Sequence, residues 1–517
     1  MVSVIETQVL VVGGGATGLG VARDAALRGL RVVLVDARDL AEGTTGRFHG
    51  LLHSGGRYAV KDPESARECI HENRILRRIA SHCIEDTGGL FVCTPSDDPE
   101  FGNRFLAGCR EAGIPVEEIE PAEALRREPR LHPGIRRAFT VPDGAVDSWR
   151  LVWGCGEDIE RHGGTLLTYH RVERVIVEGD RVCGVHVRDV RAGEEKEIRA
   201  EITVSATGAW AGRLAEMAGC SVAVRGGRGI MIAMNHRLVN AVVNRCRMPT
   251  DADILVPAHT VCVLGTTDSP VDDPDDTSIP PGDVRRLLDG GAEMVPHLRE
   301  ARALRAWAGI RPLYSEAAAD GGTRQMSRGF TLLDHRDREG VAGFLTITGG
   351  KLTTFRRMAE VTVDAVCEHL GVEAACRTSS EPLPGSEDGR PHHVGDRLAT
   401  REENLHDEQV ICECELVTRG MLMAAVEERP TTNLDDIRRA VRLGMGPCQG
   451  GFCIPRAAAV LTAAGRMDAA AANKAVRAFV EERWKGAWPI LAGRQARQAR
   501  LDDWLFHGAL DVDHLPA

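Results

Sequence analysis

The chain has 517 residues, 43% of them apolar and 27% charged, which is ordinary for a soluble globular protein and too long for one hydrophobic core, so two or three domains are expected. Its 64 basic against 75 acidic side chains leave a formal charge of −11, which argues against a nucleic-acid-binding role. The N-terminus runs directly into a strand-like stretch and no run of about 20 apolar residues occurs, so neither a signal peptide nor a membrane span is expected; the expected compartment is the cytosol, where thiols stay reduced.

The first 36 residues read as strand, glycine turn, helix and strand. Val9–Val12 is a continuous apolar run, as in a buried parallel strand. Gly13, Gly15 and Gly18 form G-x-G-x-x-G: room for a tight turn, for backbone against a pyrophosphate, and for helix against strand. The helix start then offers its positive end to phosphates. Asp36 closes the second strand, where a carboxylate accepts ribose hydroxyls. Three later segments favour FAD over a nicotinamide. "GTTGRFHGLLHSGGRYAV" (43–60) carries Thr44, Thr45 and His49 as candidate cofactor contacts. "EITVSATGAWAG" (201–212) ends a strand at Ala206, Thr207 and Gly208. "GFLTITGGKLTTFRRMAE" (343–360) places Gly349, Gly350, Lys351, Leu352 and Thr353 between a strand and a helix, whose positive end suits an anionic flavin edge.

These segments, with "ENRILRRIASHC" (72–83), "DTGGLFV" (86–92), "PDGAVD" (142–147), "NRCRMPTDADILVP" (244–257), "LGTTD" (264–268) and "WAGIRPL" (307–313), resemble the flavin-dependent glycerol-3-phosphate dehydrogenases of the D-amino-acid-oxidase-like class, and in particular the A-type chains of the anaerobic enzymes. The resemblance runs from about residue 5 to 510. It implies FAD, sn-glycerol 3-phosphate as substrate, electron delivery to quinone through partner subunits B and C, and a cytoplasmic position peripheral on the inner membrane face by way of a partner.

Oxidising a carbinol by hydride transfer to flavin N5 needs a base for the hydroxyl proton and fixed cations for a phosphate. Arg57, Arg311 and Lys351 are the candidate cations; the resemblance matches them to substrate-phosphate and active-site positions. The chain has only five lysines, so a lysine in a glycine turn at a helix start, against the dipole, suggests a compact ammonium is wanted there. His49 and His53 are the candidate bases, each also readable as a structural histidine. In "GGRGIMI" (226–232), Gly229 stands where aerobic relatives carry a histidine, so the role of base passes to His53 or a water. Arg228 is a further possible contact.

The tail holds Cys412-x-Cys414, then 33 residues, then Cys448-x4-Cys453. A reducing compartment disfavours disulfides. Zinc remains open, although C-x-C is tighter than the usual zinc pair. An iron–sulfur cluster takes four thiolates, and the glycines of "GMGPCQGGFC" free backbone N–H groups to reach sulfur. The spacing also resembles the 2Fe-2S domain of bacterioferritin-associated ferredoxin. The other eleven cysteines read as buried small hydrophobes. "LDDIRRAVRLGMG" (434–446) is amphipathic, with Arg438, Arg439 and Arg442 on a face read as solvated or as a dock for an acidic partner. Three tryptophans and several arginines in 479–506 read either as internal packing or as a partner or bilayer contact.

The expected architecture is α/β. An FAD-binding domain of Rossmann type comes from about 1–80, 140–220 and 320–376, with an antiparallel-sheet substrate domain inserted from about 81–139 and 221–319. A linker (377–408), a small α-helical 2Fe-2S domain (409–465) and a C-terminal helical extension (466–517) follow. The leading function is FAD-dependent oxidation of glycerol 3-phosphate to dihydroxyacetone phosphate. The rivals are a dehydrogenase of an amine or 2-hydroxy acid, and a non-catalytic electron-relay subunit.

Overall fold

The computed structural model describes residues 3–315, 323–403 and 409–514. Its first sheet has eight strands. Ser3–Val12 lies at its centre, parallel to Val32–Val35 on one side and to Glu195–Ser205 on the other. Thr165–Leu167 continues the parallel order beyond Val32–Val35, and Phe344–Gly349 lies parallel to the C-terminal end of Glu195–Ser205. Val9, Leu10 and Val11 are fully buried, as a strand covered on both faces requires. The helix Ala16–Leu27 is buried along almost its whole length, because the helices Ser148–Arg161 and Phe355–Leu370 enclose it. Gly13, Asp36, Ala206 and Gly349 therefore all sit at the carboxyl ends of the parallel strands of this mixed sheet, where α/β folds bind ligands.

The second sheet has nine strands. It is antiparallel except where Val242–Arg245 runs parallel to Gly89–Cys93. Its longest pairing joins Val224–Met234 to Ala303–Tyr314 and sets Gly227 opposite Arg311 and Gly229 opposite Gly309.

The segment 377–403 is not the free linker expected from composition. Leu383 is buried and its N–H donates to Ile79 O at 2.7 Å, and His392 N–H donates to Ile84 O at 2.8 Å. A helix, Val394–Glu403, follows. Residues 404–408 lie outside those described. The cysteine module and the C-terminal helices share one core: Ile411, Leu422, Ile437 and Ile454 pack with Val476, Phe479 and Phe506.

The basic face of Leu434–Val441 is neither solvated nor open to an outside partner. Arg439 is buried against Asp39 and Glu42, each at 3.1 Å, and Arg442 is buried between Asp147 at 3.1 Å and Glu415 at 2.9 Å. Glu415 also meets His259 Nδ1 at 3.2 Å, and Arg397 donates to Glu415 O at 2.6 Å. Burial, the largest single influence, would raise the Asp147 and Glu415 carboxyls; Arg442 and His259 together, with Arg150 at Asp147, outweigh it and hold both below the usual range, Glu415 at about 2. Internal packing does not cover the tail tryptophans either: Trp484, Trp488 and Trp504 are 47%, 65% and 66% exposed.

Candidate functional site

One cavity of about 1410 Å³ opens at the carboxyl edge of the first sheet and reaches the second. Every sequence-predicted cofactor contact lines it except Gly18, and so do His53, Arg57, Arg311 and Lys351. Gly18 works from behind. A Cβ there would lie 1.8 Å from Gly13 O, so the glycine lets helix and turn close together. Gly13 has φ +116°, and a Cβ would press on Ala206 O at 2.6 Å. Ala16 N–H donates to Thr45 Oγ1 at 3.0 Å, and Thr44 Oγ1 donates to Ile310 O at 2.5 Å, which ties the 43–60 loop to the start of the helix Ala16–Leu27 and to the second sheet. Asp36 accepts Gly14 N–H at 2.6 Å and Arg38 N–H at 2.8 Å. Burial outweighs those donors and pushes its carboxyl up to about 6. The glycine turn, the helix start at Ala16 and the Asp36 carboxylate are the groups that would hold a dinucleotide's pyrophosphate and ribose.

The far end of the cavity collects cations. Arg57 donates to Asp253 Oδ1 at 2.7 Å and to Asn244 Oδ1 at 3.1 Å. Arg311 donates to Asp268 Oδ1 at 2.8 Å and to Thr266 Oγ1 at 3.0 Å. Burial first, then the Arg328 guanidinium, lowers Arg311 to about 10, still a cation at neutral pH. Lys351 Nζ donates to Arg328 O at 3.1 Å and lies 5.4 Å from the Tyr58 ring centroid. Arg328 joins this wall with a buried, unpartnered Nη1; no motif in "QMSRGF" marked it, and Asp253 and Asp268 carried no signal beyond their segments. Arg228 does not belong here: it binds Asp276 and Ser278 at 2.8 and 2.6 Å and does not line the cavity. Gly229 has a steric reason. A Cβ there would lie 2.4 Å from Arg311 Nη2, so a histidine at 229 and this arginine pose exclude each other.

The two histidines differ. His49 Nδ1 accepts Leu51 N–H at 3.3 Å, so the neutral ring carries its proton on Nε2. His53 Nδ1 is buried with no partner, while its backbone is pinned to Thr353 Oγ1 at 3.2 Å and to Asn73 at 3.0 Å. Burial first, then Arg57, lowers both, His49 to about 3 and His53 well below the ordinary imidazole value. Both shifts favour the neutral ring, and of the two it is His53 whose buried Nδ1 is left without a partner.

In the tail the four sulfurs form a chain of contacts: Cys412 to Cys453, Cys453 to Cys448, Cys448 to Cys414. Four thiols gathered in one place offer the four thiolates that an iron–sulfur cluster takes. Backbone N–H groups of Gly444 and Glu415 aim at Cys412, and those of Gly450 and Phe452 at Cys448. Neighbouring thiols first, then these amides, hold Cys412 and Cys448 below the ordinary thiol range.

Comparison with known proteins agrees with both halves. Residues 8–356 match the family of FAD dependent oxidoreductases, and residues 410–463 match the BFD-like [2Fe-2S] binding domain. The A1 chain of the anaerobic glycerol-3-phosphate dehydrogenase of Haloferax volcanii is 46% identical, with 98% of this chain and 91% of that one covered. The A chain of the Escherichia coli enzyme is 44% identical over 98% and 97%. The FAD-complexed structure of the Bacillus halodurans glycerol-3-phosphate dehydrogenase shares the fold with a TM-score of 0.64 at 22% identity, covering 97% of this chain and 94% of that one. The cofactors are thus FAD and a 2Fe-2S cluster, one for each of the two matched regions.

Proposed function

The chain belongs to the FAD dependent oxidoreductases, within the family of the A chains of anaerobic glycerol-3-phosphate dehydrogenases, and from that premise we propose that it oxidises sn-glycerol 3-phosphate to dihydroxyacetone phosphate. The observation that carries this reading is the cation wall of Arg57, Arg311, Arg328 and Lys351 facing one neutral, unpartnered imidazole. Bound FAD supplies the hydride acceptor, and the bound 2Fe-2S cluster supplies a one-electron exit.

Arg311 and Arg328 grip the phosphate. Their forked N–H donors suit a dianion, and Asp268 keeps the Arg311 fork from swinging away. Arg57, braced by Asp253, and Lys351 orient the hydroxyl-bearing carbons. His53 Nδ1 accepts the carbinol O–H proton as the C–H bond yields its hydride. The surrounding cations, which disfavour a protonated ring at rest, then speed its release to solvent. His49, donor at Nε2, stabilises the developing alkoxide.

No helix among the described residues is long and apolar enough to cross a membrane. The chain works as one member of a complex; its electrons reach quinone through B and C partners, and the membrane contact of the assembly belongs to those partners. Anaerobic spectroscopy tests the substrate assignment. Glycerol 3-phosphate bleaches the flavin band of the isolated chain, whereas glycerol, 2-hydroxy acids and amines do not. Bleaching by an amine or a hydroxy acid and not by glycerol 3-phosphate would replace this reading with the corresponding dehydrogenase.

A further inference from the structure

Away from the flavin cavity, Cys220, His335 and Glu339 bring a sulfur, a ring nitrogen and a carboxylate oxygen within 4.8 Å of one another, the one such group of three among the described residues. Cys220 and His335 are buried, and Glu339 stands at the rim with its side chain 23% exposed. His335 and Glu339 are four apart on the short helix His335–Glu339, so both side chains leave one face. Cys220 comes from the turn between Ala211–Met217 and Val224–Met234.

The imidazole is already oriented as a ligand would be. Its Nε2 meets Thr346 Oγ1 at 2.9 Å, its face stacks on Phe344 at 4.7 Å, and Nδ1 points at Glu339 Oε2 at 2.9 Å. Metal-bound histidines are held in this way, one nitrogen on an oxygen partner and the other toward the ion. The second oxygen of Glu339 receives Ser221 N–H at 3.4 Å, which leaves Oε2 for the ion. Cys220 Sγ has only a 3.7 Å contact to Ala218 O, the weakest tie in the group.

We propose that Cys220, His335 and Glu339 form a second metal site, for zinc or a similar borderline-soft divalent cation. One thiolate, one imidazole and one carboxylate favour such ions over magnesium or calcium. On binding, the Cys220 thiol gives its proton to solvent, the His335 ring shifts its proton from Nδ1 to Nε2, where Thr346 Oγ1 accepts it, the ion replaces the His335–Glu339 hydrogen bond, and water fills the fourth position from the exposed Glu339 side. The site lies where the chain leaves the first sheet on Val224–Met234 and where it has just returned, on the helix between Phe330–Asp334 and Phe344–Gly349. An ion here braces that crossover, just behind the cavity-lining residues Ile347 to Gly350.

The test uses the full chain with flavin and cluster in place, iron content measured so that the four tail thiols are known to be occupied. Zinc is titrated against a chromophoric chelator, then retained zinc and iron are counted after desalting. Wild type retains about one zinc per chain and its unfolding temperature rises with zinc; cadmium gives a thiolate-to-metal absorption band. Cys220→Ala loses the band, and Glu339→Gln, a change at the rim that leaves the core intact, weakens zinc at least about tenfold. Zinc retention equal in wild type and both variants, or no zinc above the Cys220→Ala level, overturns the proposal.

Discussion

The nucleotide cradle is shaped by backbone. Gly13, Gly15 and Gly18 remove side chains where strand, turn and ligand converge, and the carboxyl ends of the parallel strands set the direction. The cysteine module is held by side chains. Arg439 reaches Asp39 and Glu42 on the loop leading into the cradle, and Arg442 bridges Asp147, the N-cap of Ser148–Arg161, to Glu415 beside the cysteine pair. A backbone-made site tolerates almost no side chain at its glycines. A side-chain-made interface fails by leaving charges buried without partners. The two regions should therefore break differently.

Breaking the cradle alone has the largest effect. Gly18→Ala puts a methyl 1.8 Å from Gly13 O; the purified variant is expected to lack flavin absorbance yet keep its iron, because the cysteine module has its own core. The converse change is Cys453→Ser. Iron is lost while glycerol 3-phosphate still bleaches the flavin, read by anaerobic absorbance. Breaking only the joint comes next. Arg442→Met strands Asp147 and Glu415, a cost of about 3–5 kcal/mol in docking; calorimetry should resolve two unfolding transitions in place of one. Flavin reduction by substrate keeps its rate, and electron passage to the cluster slows. Within the cavity, Arg311→Ala is expected to lower kcat/KM for glycerol 3-phosphate by about 10²–10³-fold, the loss of one charged fork, with FAD content unchanged.

The smallest effect is in pH. With the His53 value depressed by burial and by Arg57, its neutral, proton-accepting form persists as pH falls through the ordinary imidazole range, so the acid limb of flavin reduction at saturating substrate lies below that range. A limb at 6.5 would mean that the ring is not desolvated as described, or is not the base.

The contrast also explains what was legible in the sequence. Glycine spacing, the acidic end of the second strand and the cysteine pairs are local patterns with local physical causes, so the sequence alone could single out the turn and the four thiols that the fold brings together. The arginines of Leu434–Val441 could not. An amphipathic helix shows which face is basic, but not that Asp39, Glu42 and Asp147, some 300 to 400 positions away, cover it. The same holds for 377–403, whose composition suggests a linker and whose Leu383 and His392 dock on the helix Pro63–Ile79 and the strand after it. Arg328 in the cation wall, and the exclusion of a side chain at 229 by Arg311, are long-range facts of packing with no local signature.

The central claim is that one polypeptide carries both the two-electron acceptor and the one-electron outlet, fed by a phosphate-gripping pocket. An anaerobic titration of the purified chain with glycerol 3-phosphate, followed by flavin absorbance and by EPR of the cluster, tests it most directly. The flavin band should be lost together with the appearance of a reduced-cluster signal, complete near about 1.5 equivalents of substrate per chain, since flavin takes two electrons and the cluster one. A flavin that stays oxidised, or a chain whose four tail thiols hold zinc and give no cluster signal, would contradict it.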